Sequence, residues 1–324
     1  MENHKNKICG NEMIGLVIIL IMIFSLNAAY LNFLNKNSKI SLAYNSYKEH
    51  TKYSHIIAFA FFGDSHPKEA VNPEYINNSF NFASGAGNYF QIYYNLKSII
   101  EDDKIKINSL VLEIDPQSFS SNLYEPQFII DNYWYWNRFI PVSELSNISD
   151  RNYIELFALS KMPIIGGGRD LMHYYLKNKE PDNEFFKGWE SCKGNIINIS
   201  HIDLAQIEFN KILRAETNPI CPIALKYFLL TLDLANKKNI SIILIKYPLT
   251  TEFVDILEQN NRPQEEYYKN LFLAVNETKI NYTLLDFQDI YFTNQNYFCD
   301  MTHLNTIGAK NFSMLLSDKL KNTH

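Results

Sequence analysis

Short apolar segments alternate with longer segments of helical periodicity along most of the chain. The short segments are rich in β-branched and aromatic residues, which is typical of buried strands. This alternation predicts a parallel sheet covered by helices on both faces, and hence an α/β fold. The predicted strands are 56–62, 80–83, 109–114, 240–246 and 282–286, and the predicted helices are 88–102, 222–238, 264–278 and 306–321.

The stretch between the third and fourth predicted strands is much longer than an ordinary crossover connection. It contains residues 116–218, with helical patterns at 150–160 and 170–177. A connection of this length inside a compact domain is typical of an inserted subdomain or a lid. We therefore expect a large insertion after the third strand.

One apolar segment near the N-terminus is long enough to cross a membrane. Residues 13–35 carry no charge and lie between Glu12 and Lys36, and about 20 apolar residues in a helix span a bilayer core. The sequence Asn27-Ala28-Ala29-Tyr30 is a poor match to a signal-peptide cleavage site, which favours a retained transmembrane helix.

The position of this helix predicts the domain organisation. A short tail before a lone anchor usually stays in the cytoplasm, so we expect residues 1–12 to be a cytoplasmic tail. Residues 36–54 then form a linker, and residues 55–324 form the main domain outside the cytoplasm. The membrane itself is thus the first predicted partner.

Composition and charge exclude several classes of function. The 324 residues are 46% hydrophobic and 20% charged, which permits a substantial core. A net charge of -5 and the lack of a basic patch interleaved with aromatic residues argue against a nucleic-acid partner. The sequence has no Cys/His spacing typical of a metal site, and Gly166-Gly167-Gly168-Arg169 lacks the Lys-Ser/Thr of a phosphate-binding loop. We therefore predict no metal and no cofactor.

Three of the four cysteines fall in the predicted exported part, which permits at most one disulfide among them. Cys192 with Cys221 is a plausible pair. Cys299, beside Asp300, is then expected to be a buried free thiol.

The candidate chemistry lies at the two ends of the main domain. Gly63-Asp64-Ser65 follows the first predicted strand, and Asp300-Met301-Thr302-His303 precedes the last predicted helix, which Asn305 is expected to cap. A serine becomes a nucleophile when a base reaches its hydroxyl and an acid orients that base. His66 directly follows Ser65, and because adjacent side chains on a turn diverge, we expect it to have a packing or capping role instead.

These two blocks resemble those of the SGNH, or GDSL-like, hydrolase superfamily, and the match covers most of residues 55–320. The resemblance implies a flavodoxin-like three-layer sandwich with Ser65 as nucleophile, His303 as general base and Asp300 as the residue that orients the imidazole. Residues 81–85 resemble the second block of the family. The backbone amides of Ser65 and Gly85 are therefore the expected oxyanion hole.

The third block of the family, a Gly-x-Asn-Asp loop, is absent, and Asp115-Pro116-Gln117 follows the corresponding strand. The chain resembles instead a membrane-anchored branch that includes the teichoic-acid D-alanine transfer protein and alginate-type O-acetylation proteins. This resemblance implies a serine acyltransferase or esterase that acts on acetyl or alanyl esters of a cell-envelope polysaccharide. The implied partners are an envelope glycan or acyl donor and a multi-pass membrane O-acyltransferase. The alternative is a catalytically silent scaffold that binds a glycan or assists such an enzyme.

Four residues are candidates for substrate binding. Asp115 follows a strand end, where functional residues gather in open α/β sheets. Arg169 is a candidate for contact with an anionic substrate. Trp134 and Trp136 are either a sugar-stacking platform or part of the core of the insertion, because aromatic rings serve both purposes.

Overall fold

The computed structural model places most of the chain in a single α/β unit behind an N-terminal helix. The residues that it describes are 2–37, 47–48, 51, 54–102, 104–125, 139–146, 148, 152–162, 184–194, 196, 201–212, 220–260 and 264–322.

The elements follow the predicted alternation of strands and helices. The strands are β1 (Ile56–Phe62), β2 (Ser79–Asn81), β3 (Lys106–Glu113), β4 (Phe185–Phe186), β5 (Trp189–Glu190), β6 (Ser241–Lys246) and β7 (Thr283–Asp286). The α-helices are α1 (Glu2–Asn37), α2 (Ser65–Ala70), α3 (Tyr89–Glu101), α4 (Val142–Leu145), α5 (Tyr153–Lys161), α6 (His201–Ile212), α7 (Pro222–Lys237), α8 (Thr251–Gln259), α9 (Gln264–Glu277) and α10 (Thr306–Lys321).

Five of the strands form one parallel sheet in the order β2-β1-β3-β6-β7. Numbered within the sheet alone, this is the 2-1-3-4-5 order of doubly wound, flavodoxin-like folds. The α/β prediction is therefore confirmed, and the five predicted strands all belong to this sheet. β4 and β5 form a separate antiparallel hairpin within the predicted insertion.

Helices cover both faces of the sheet, because successive strand residues point to opposite sides. In β1, Ala60 and Phe62 pack on one side with α3, α7 and α9, whereas Phe61 packs on the other with α2, α8 and α10. In β6, Ile242 and Ile243 divide between the two sides in the same way. Both faces of the central strands are buried, so their sequences read as continuous apolar segments.

The predicted insertion is described in part. Between β3 and β6 it contributes two 3-10 turns, α4, α5, the β4–β5 hairpin and α6 before the crossover helix α7. Helix α5 corresponds to the helical pattern predicted at 150–160, whereas the pattern at 170–177 lies outside the described residues.

Helix α1 contains the segment Met13–Asn32, which is long and apolar enough to cross a membrane and is mostly exposed. Its mean hydropathy is 2.5. Near the end of this segment Asn27 and Tyr30 are buried, and Tyr30 belongs to the same core as α3 and α7.

The predicted cysteine pairing is wrong. Cys192 is joined to Cys299, with a Cα–Cα distance of 6.1 Å, and Cys221 is a buried free thiol at the start of α7. The β4–β5 hairpin brings Cys192 to the loop before α10, where the backbones of Cys192 and Asn305 also form a β-bridge. Sequence spacing carries no information about this contact, because it depends on where the hairpin folds back.

We expect replacement of Cys192 by serine to lower the free energy of unfolding by about 2–5 kcal/mol, since the disulfide closes a loop of more than a hundred residues. Thermal unfolding of the purified chain with and without reductant measures this loss. The matched control is Cys221→Ala, which removes a thiol without breaking a cross-link. Recovery of a Cys192–Cys221 peptide by non-reducing mass spectrometry would contradict the pairing.

Candidate active site

Ser65 is held at the carboxyl end of β1 by a tight turn. Asp64 caps α2, and its side chain accepts a hydrogen bond from the backbone N–H of His66 at 2.8 Å. Gly63 is required by close approach, because a Cβ at this position would lie 2.4 Å from Oε2 of Glu113 and 2.5 Å from Cγ of Pro67. The chain therefore turns sharply after β1 and presents Ser65 at the edge of the sheet.

Asp300 and His303 lie on the loop that leads into α10. As predicted, Asn305 caps this helix, and its side chain accepts hydrogen bonds from the backbone N–H groups of Ile307 and Gly308 at 3.0 Å. The loop closes on itself, since the backbone N–H of Cys299 donates to the carbonyl of His303 at 2.9 Å. Cap, loop closure and disulfide together fix the position of His303.

The structure brings Ser65, His303 and Asp300 together in one hydrogen-bonded chain. Nε2 of His303 lies 2.7 Å from Oγ of Ser65, and Nδ1 of His303 lies 2.8 Å from Oδ2 of Asp300. Asp300 also accepts hydrogen bonds from the backbone N–H groups of Thr302 and His303, at 2.9 and 2.8 Å. These contacts span 238 residues of sequence between the serine and the imidazole.

The electrostatic environment supports an ionised acid beside a basic imidazole. Burial alone raises the pKa of Asp300, but the hydrogen bonds and charge of His303 outweigh it and hold this pKa below its ordinary value. Burial alone lowers the pKa of His303, but the hydrogen bond and charge of Asp300 raise it above the ordinary value, with a further contribution from Glu69. The carboxylate is thus charged at neutral pH, and the imidazole is a stronger base than a free one.

A second polar cluster, which is fully buried, lies next to the hydrogen-bonded set of Ser65, His303 and Asp300. Nδ1 of His66 lies 3.0 Å from Oδ2 of Asp115 and 3.4 Å from Oε1 of Glu113. Oε2 of Glu113 accepts a hydrogen bond from the backbone N–H of Asp64 at 2.7 Å, and Asp115 accepts from the backbone N–H of Tyr247 at 3.3 Å. Burial raises the pKa of both Glu113 and Asp115. The cluster links the carboxyl ends of β1, β3 and β6.

The cluster bears on the expectations for Asp115 and His66. Asp115, predicted to contact substrate, is 1% exposed and contacts His66 and Tyr247 instead, because its side chain points into the sheet edge. His66 is 2% exposed, and its ring packs edge-to-face against the His303 ring at a centroid distance of 5.3 Å. It therefore has the packing position expected from its place beside Ser65.

The two predicted oxyanion donors lie on loops that are tied together. The backbone N–H of Ser84 donates to the carbonyl of Gly63 at 3.3 Å, which joins the Gly85 loop to the turn that carries Ser65. Within the described part of the chain, neither the Ser65 nor the Gly85 amide donates a hydrogen bond to another residue. The side chain of Asn81 offers no further donor, because its amide nitrogen binds the carbonyls of Pro67 and Val71.

Sequence reasoning missed three charged residues near the site. Nζ of Lys68 lies 3.8 Å from the position that a Cβ on Gly85 would occupy, and it pairs with Glu190 of the hairpin at 2.7 Å. Glu69 lies one helical turn after Ser65, and burial raises its pKa against the opposing charges of His303 and Lys68. The spacing Ser65, Lys68, Glu69 was the available signal, since residues three and four apart share a helix face.

No open metal site is formed by the described residues. The donor atoms of Asp64, His66 and Glu113 lie within 4.8 Å of one another, but they are buried and bonded to one another or to the backbone. Glu69 groups similarly with Cys192 and Cys299, whose sulfurs are joined in the disulfide.

Three predicted substrate-binding residues lie outside the described residues. They are Trp134, Trp136 and Arg169.

We expect His66→Ala to lower the free energy of unfolding by about 3–5 kcal/mol, because it leaves two buried carboxylates without their shared partner. Urea unfolding of the full chain in detergent measures the change. The matched control is His55→Ala, which removes an exposed histidine and should cost about 0.5 kcal/mol or less. Equal losses in the two variants would show that the cluster does not support the fold.

Comparison with known proteins gives one similar solved structure and no family. No protein-family model matches the chain, and no curated protein matches it. Among solved structures, a GDSL-like lipase from Bacteroides thetaiotaomicron is similar, with a TM-score of 0.40 and 9% sequence identity over 88% of this chain and 100% of that chain. The α/β assignment accordingly rests on the strand order and on the two covered faces of the sheet.

Proposed function

We propose that the protein is a membrane-anchored serine acyltransferase or esterase that forms an acyl-serine intermediate. The observation that carries the proposal is the hydrogen-bonded chain from Ser65 through His303 to Asp300. The order of these three side chains, each at hydrogen-bonding distance from the next, supports the proposed roles of nucleophile, base and orienting acid in acyl transfer.

In the proposed reaction, His303 accepts the proton of the Ser65 hydroxyl while Oγ attacks the acyl carbonyl. Asp300 holds Nδ1 of His303 so that Nε2 faces the serine, and it stabilises the imidazolium that forms. His303 then returns the proton to the leaving alcohol, and the acyl group remains on Ser65. In the second half, water or an acceptor hydroxyl loses its proton to His303 as its oxygen attacks the acyl carbonyl. The bond from the acyl carbon to Oγ of Ser65 then breaks, and His303 returns the proton to Oγ, which restores the free serine.

The developing oxyanion is proposed to receive hydrogen bonds from the backbone amides of Ser65 and Gly85. Both amides lack an acceptor among the described residues, as donors reserved for a reacting oxygen would. Lys68 adds a positive charge beside Gly85, and its pairing with Glu190 holds it there.

We propose acetyl or alanyl esters of a cell-envelope polysaccharide or related polymer as substrates, with residues 1–12 cytoplasmic and the main domain outside. The apolar span of α1 supports tethering at a membrane. The Cys192–Cys299 disulfide supports an oxidising compartment, where such bonds persist. A multi-pass membrane O-acyltransferase is the proposed partner that would supply or receive the acyl group.

The rival is a catalytically silent scaffold that binds a glycan or assists a membrane O-acyltransferase. One observation favours it: the site has no side-chain oxyanion donor from Asn81, whose amide is bound to backbone carbonyls. Reactivity of Ser65 separates the two functions.

We expect a fluorophosphonate to label the full chain at Ser65. His303→Ala should slow labelling by about a thousandfold or more, since the serine loses its base, and Ser65→Ala should abolish it. Peptide mass spectrometry locates the adduct. The control Ser143→Ala removes an exposed serine of α4 and should leave the rate unchanged. Absence of labelling in the native chain would favour the scaffold.

The pH dependence of labelling tests the role of Asp300. The rate should fall as the pH drops through the pKa of His303, which Asp300 raises above its ordinary value. Asp300→Asn removes that charge, so the acid limb of the profile of labelling rate against pH should move to lower pH, while the maximal rate falls. A lower rate with an unmoved limb would contradict the assignment of His303 and Asp300 as base and orienting acid.

A further inference from the structure

Helix α5 of the insertion presents an apolar face outward. Ile154 is 79% exposed, Tyr153 52% and Phe157 46%, whereas Leu156 of the same helix is fully buried in the core. Residues four apart share a helix face, so Tyr153 and Phe157 form a continuous surface, and their rings stack at a centroid distance of 6.3 Å. Scattered single apolar residues are ordinary on a protein surface, but three on one short helix are a patch.

The same helix contacts the apolar helix α1. Nδ2 of Asn27 donates a hydrogen bond to the carbonyl of Lys161, the last residue of α5, at 2.8 Å. Tyr30, one turn further along α1, is buried in the core cluster that contains Leu156. An asparagine is expensive in an apolar span unless it is bonded to protein, and here its partner is the end of α5.

This contact places the C-terminal end of α5 at a defined depth along the span. Asn27 lies five residues before Asn32, the end of the apolar segment, which corresponds to about 8 Å along a helix. Twenty residues match a hydrocarbon core of about 30 Å, so Asn27 lies near the boundary between acyl chains and headgroups. Helices that lie in the plane of a membrane bury their apolar face by about 5–10 Å at this same boundary.

We propose that α5 is an interfacial helix, and that Tyr153, Ile154 and Phe157 insert into the outer surface of the bilayer that α1 crosses. The occupant of the apolar face is thus lipid. The inference is independent of the proposed catalysis but rests on membrane insertion of α1.

The side chains around the face fit this environment. Tyrosine is enriched at membrane–water interfaces, where its ring meets acyl chains and its hydroxyl meets water. Lys161 is exposed at the end of the helix, and its Nζ lies over the Phe157 ring at 5.6 Å from the centroid. A lysine in this position can keep its stem in the apolar layer and its ammonium among lipid phosphates.

A nitroxide label at residue 154 tests the proposal in the full chain. The chain carrying Cys9→Ser and Ile154→Cys is reconstituted into vesicles of phosphatidylethanolamine and phosphatidylglycerol in equal amounts. Collisions of the label with oxygen, which concentrates in lipid, are compared with collisions with a water-soluble nickel chelate. We expect oxygen to dominate. The matched control is Met314→Cys on α10, which is 50% exposed on the other face of the sheet, and there the nickel chelate should dominate.

Each other outcome overturns the inference in a recognisable way. A label at 154 that meets the nickel chelate as freely as one at 314 would place α5 in water. A label protected from both reagents would show that protein, such as a second copy of the chain, covers the face. Release of the chain from the vesicles by alkaline carbonate would show that α1 does not cross the bilayer. That result would disprove the premise about α1 and would differ from a result that disproves the membrane contact of α5 alone.

A second variant tests whether the apolar side chains of α5 cause its contact with the membrane. Ile154→Asp combined with Phe157→Asp should make a label at residue 153 accessible to the nickel chelate. Because both side chains are exposed in the fold, the variant should keep its thermal midpoint in detergent. An unchanged preference for oxygen at residue 153 would show that α1 alone sets the position.

Discussion

The buried contact between His66 and the carboxylates of Asp115 and Glu113 is the constraint on which the rest of the site depends. These groups come from the ends of β1 and β3, and Asp115 also accepts the first backbone N–H after β6. Removing charges and lone pairs from water costs several kcal/mol per group, and only mutual pairing offsets this cost. The three strand ends are therefore fixed relative to one another, and the turn that carries Ser65 is fixed with them.

The hydrogen bonds from Ser65 to His303 and Asp300 are built on this base, with the last two residues coming from the opposite end of the sequence. The His303 ring packs edge-to-face against the His66 ring. The loop that carries His303 is held by the Asn305 cap and by the disulfide between Cys299 and Cys192. Only the upper layer, with Ser65, His303 and Asp300, is partly open to solvent. The lower layer thus supplies rigidity, and the upper layer is the part that a substrate of the proposed reaction would reach.

The sequence predicted what local patterns encode. Strand periodicity identified the sheet, because buried parallel strands are continuously apolar, and the Asn305 cap identified the start of α10. The partnership of Ser65 with His303 and Asp300 came from a resemblance, since no local pattern joins residues 238 apart. The Cys192–Cys299 bond and the Lys68–Glu190 pair were missed because both depend on where the β4–β5 hairpin folds. Asp115 was placed at the correct edge, but the direction of its side chain depends on His66, whose burial no spacing reveals.

The insertion contacts both the candidate active site and the apolar helix α1. Its hairpin reaches the site through the disulfide and through the backbone N–H of Asn81, which donates to the carbonyl of Lys187 at 3.0 Å. Its helix α5 reaches the apolar helix α1 through Lys161 and Asn27. Ser65 follows the carboxyl end of β1, about 20 Å from the amino end of the strand over its seven residues. In the proposed arrangement, α5 would add a second contact with the bilayer to that of α1, and the two contacts together would orient the sheet edge that carries Ser65 towards a membrane-bound acyl donor.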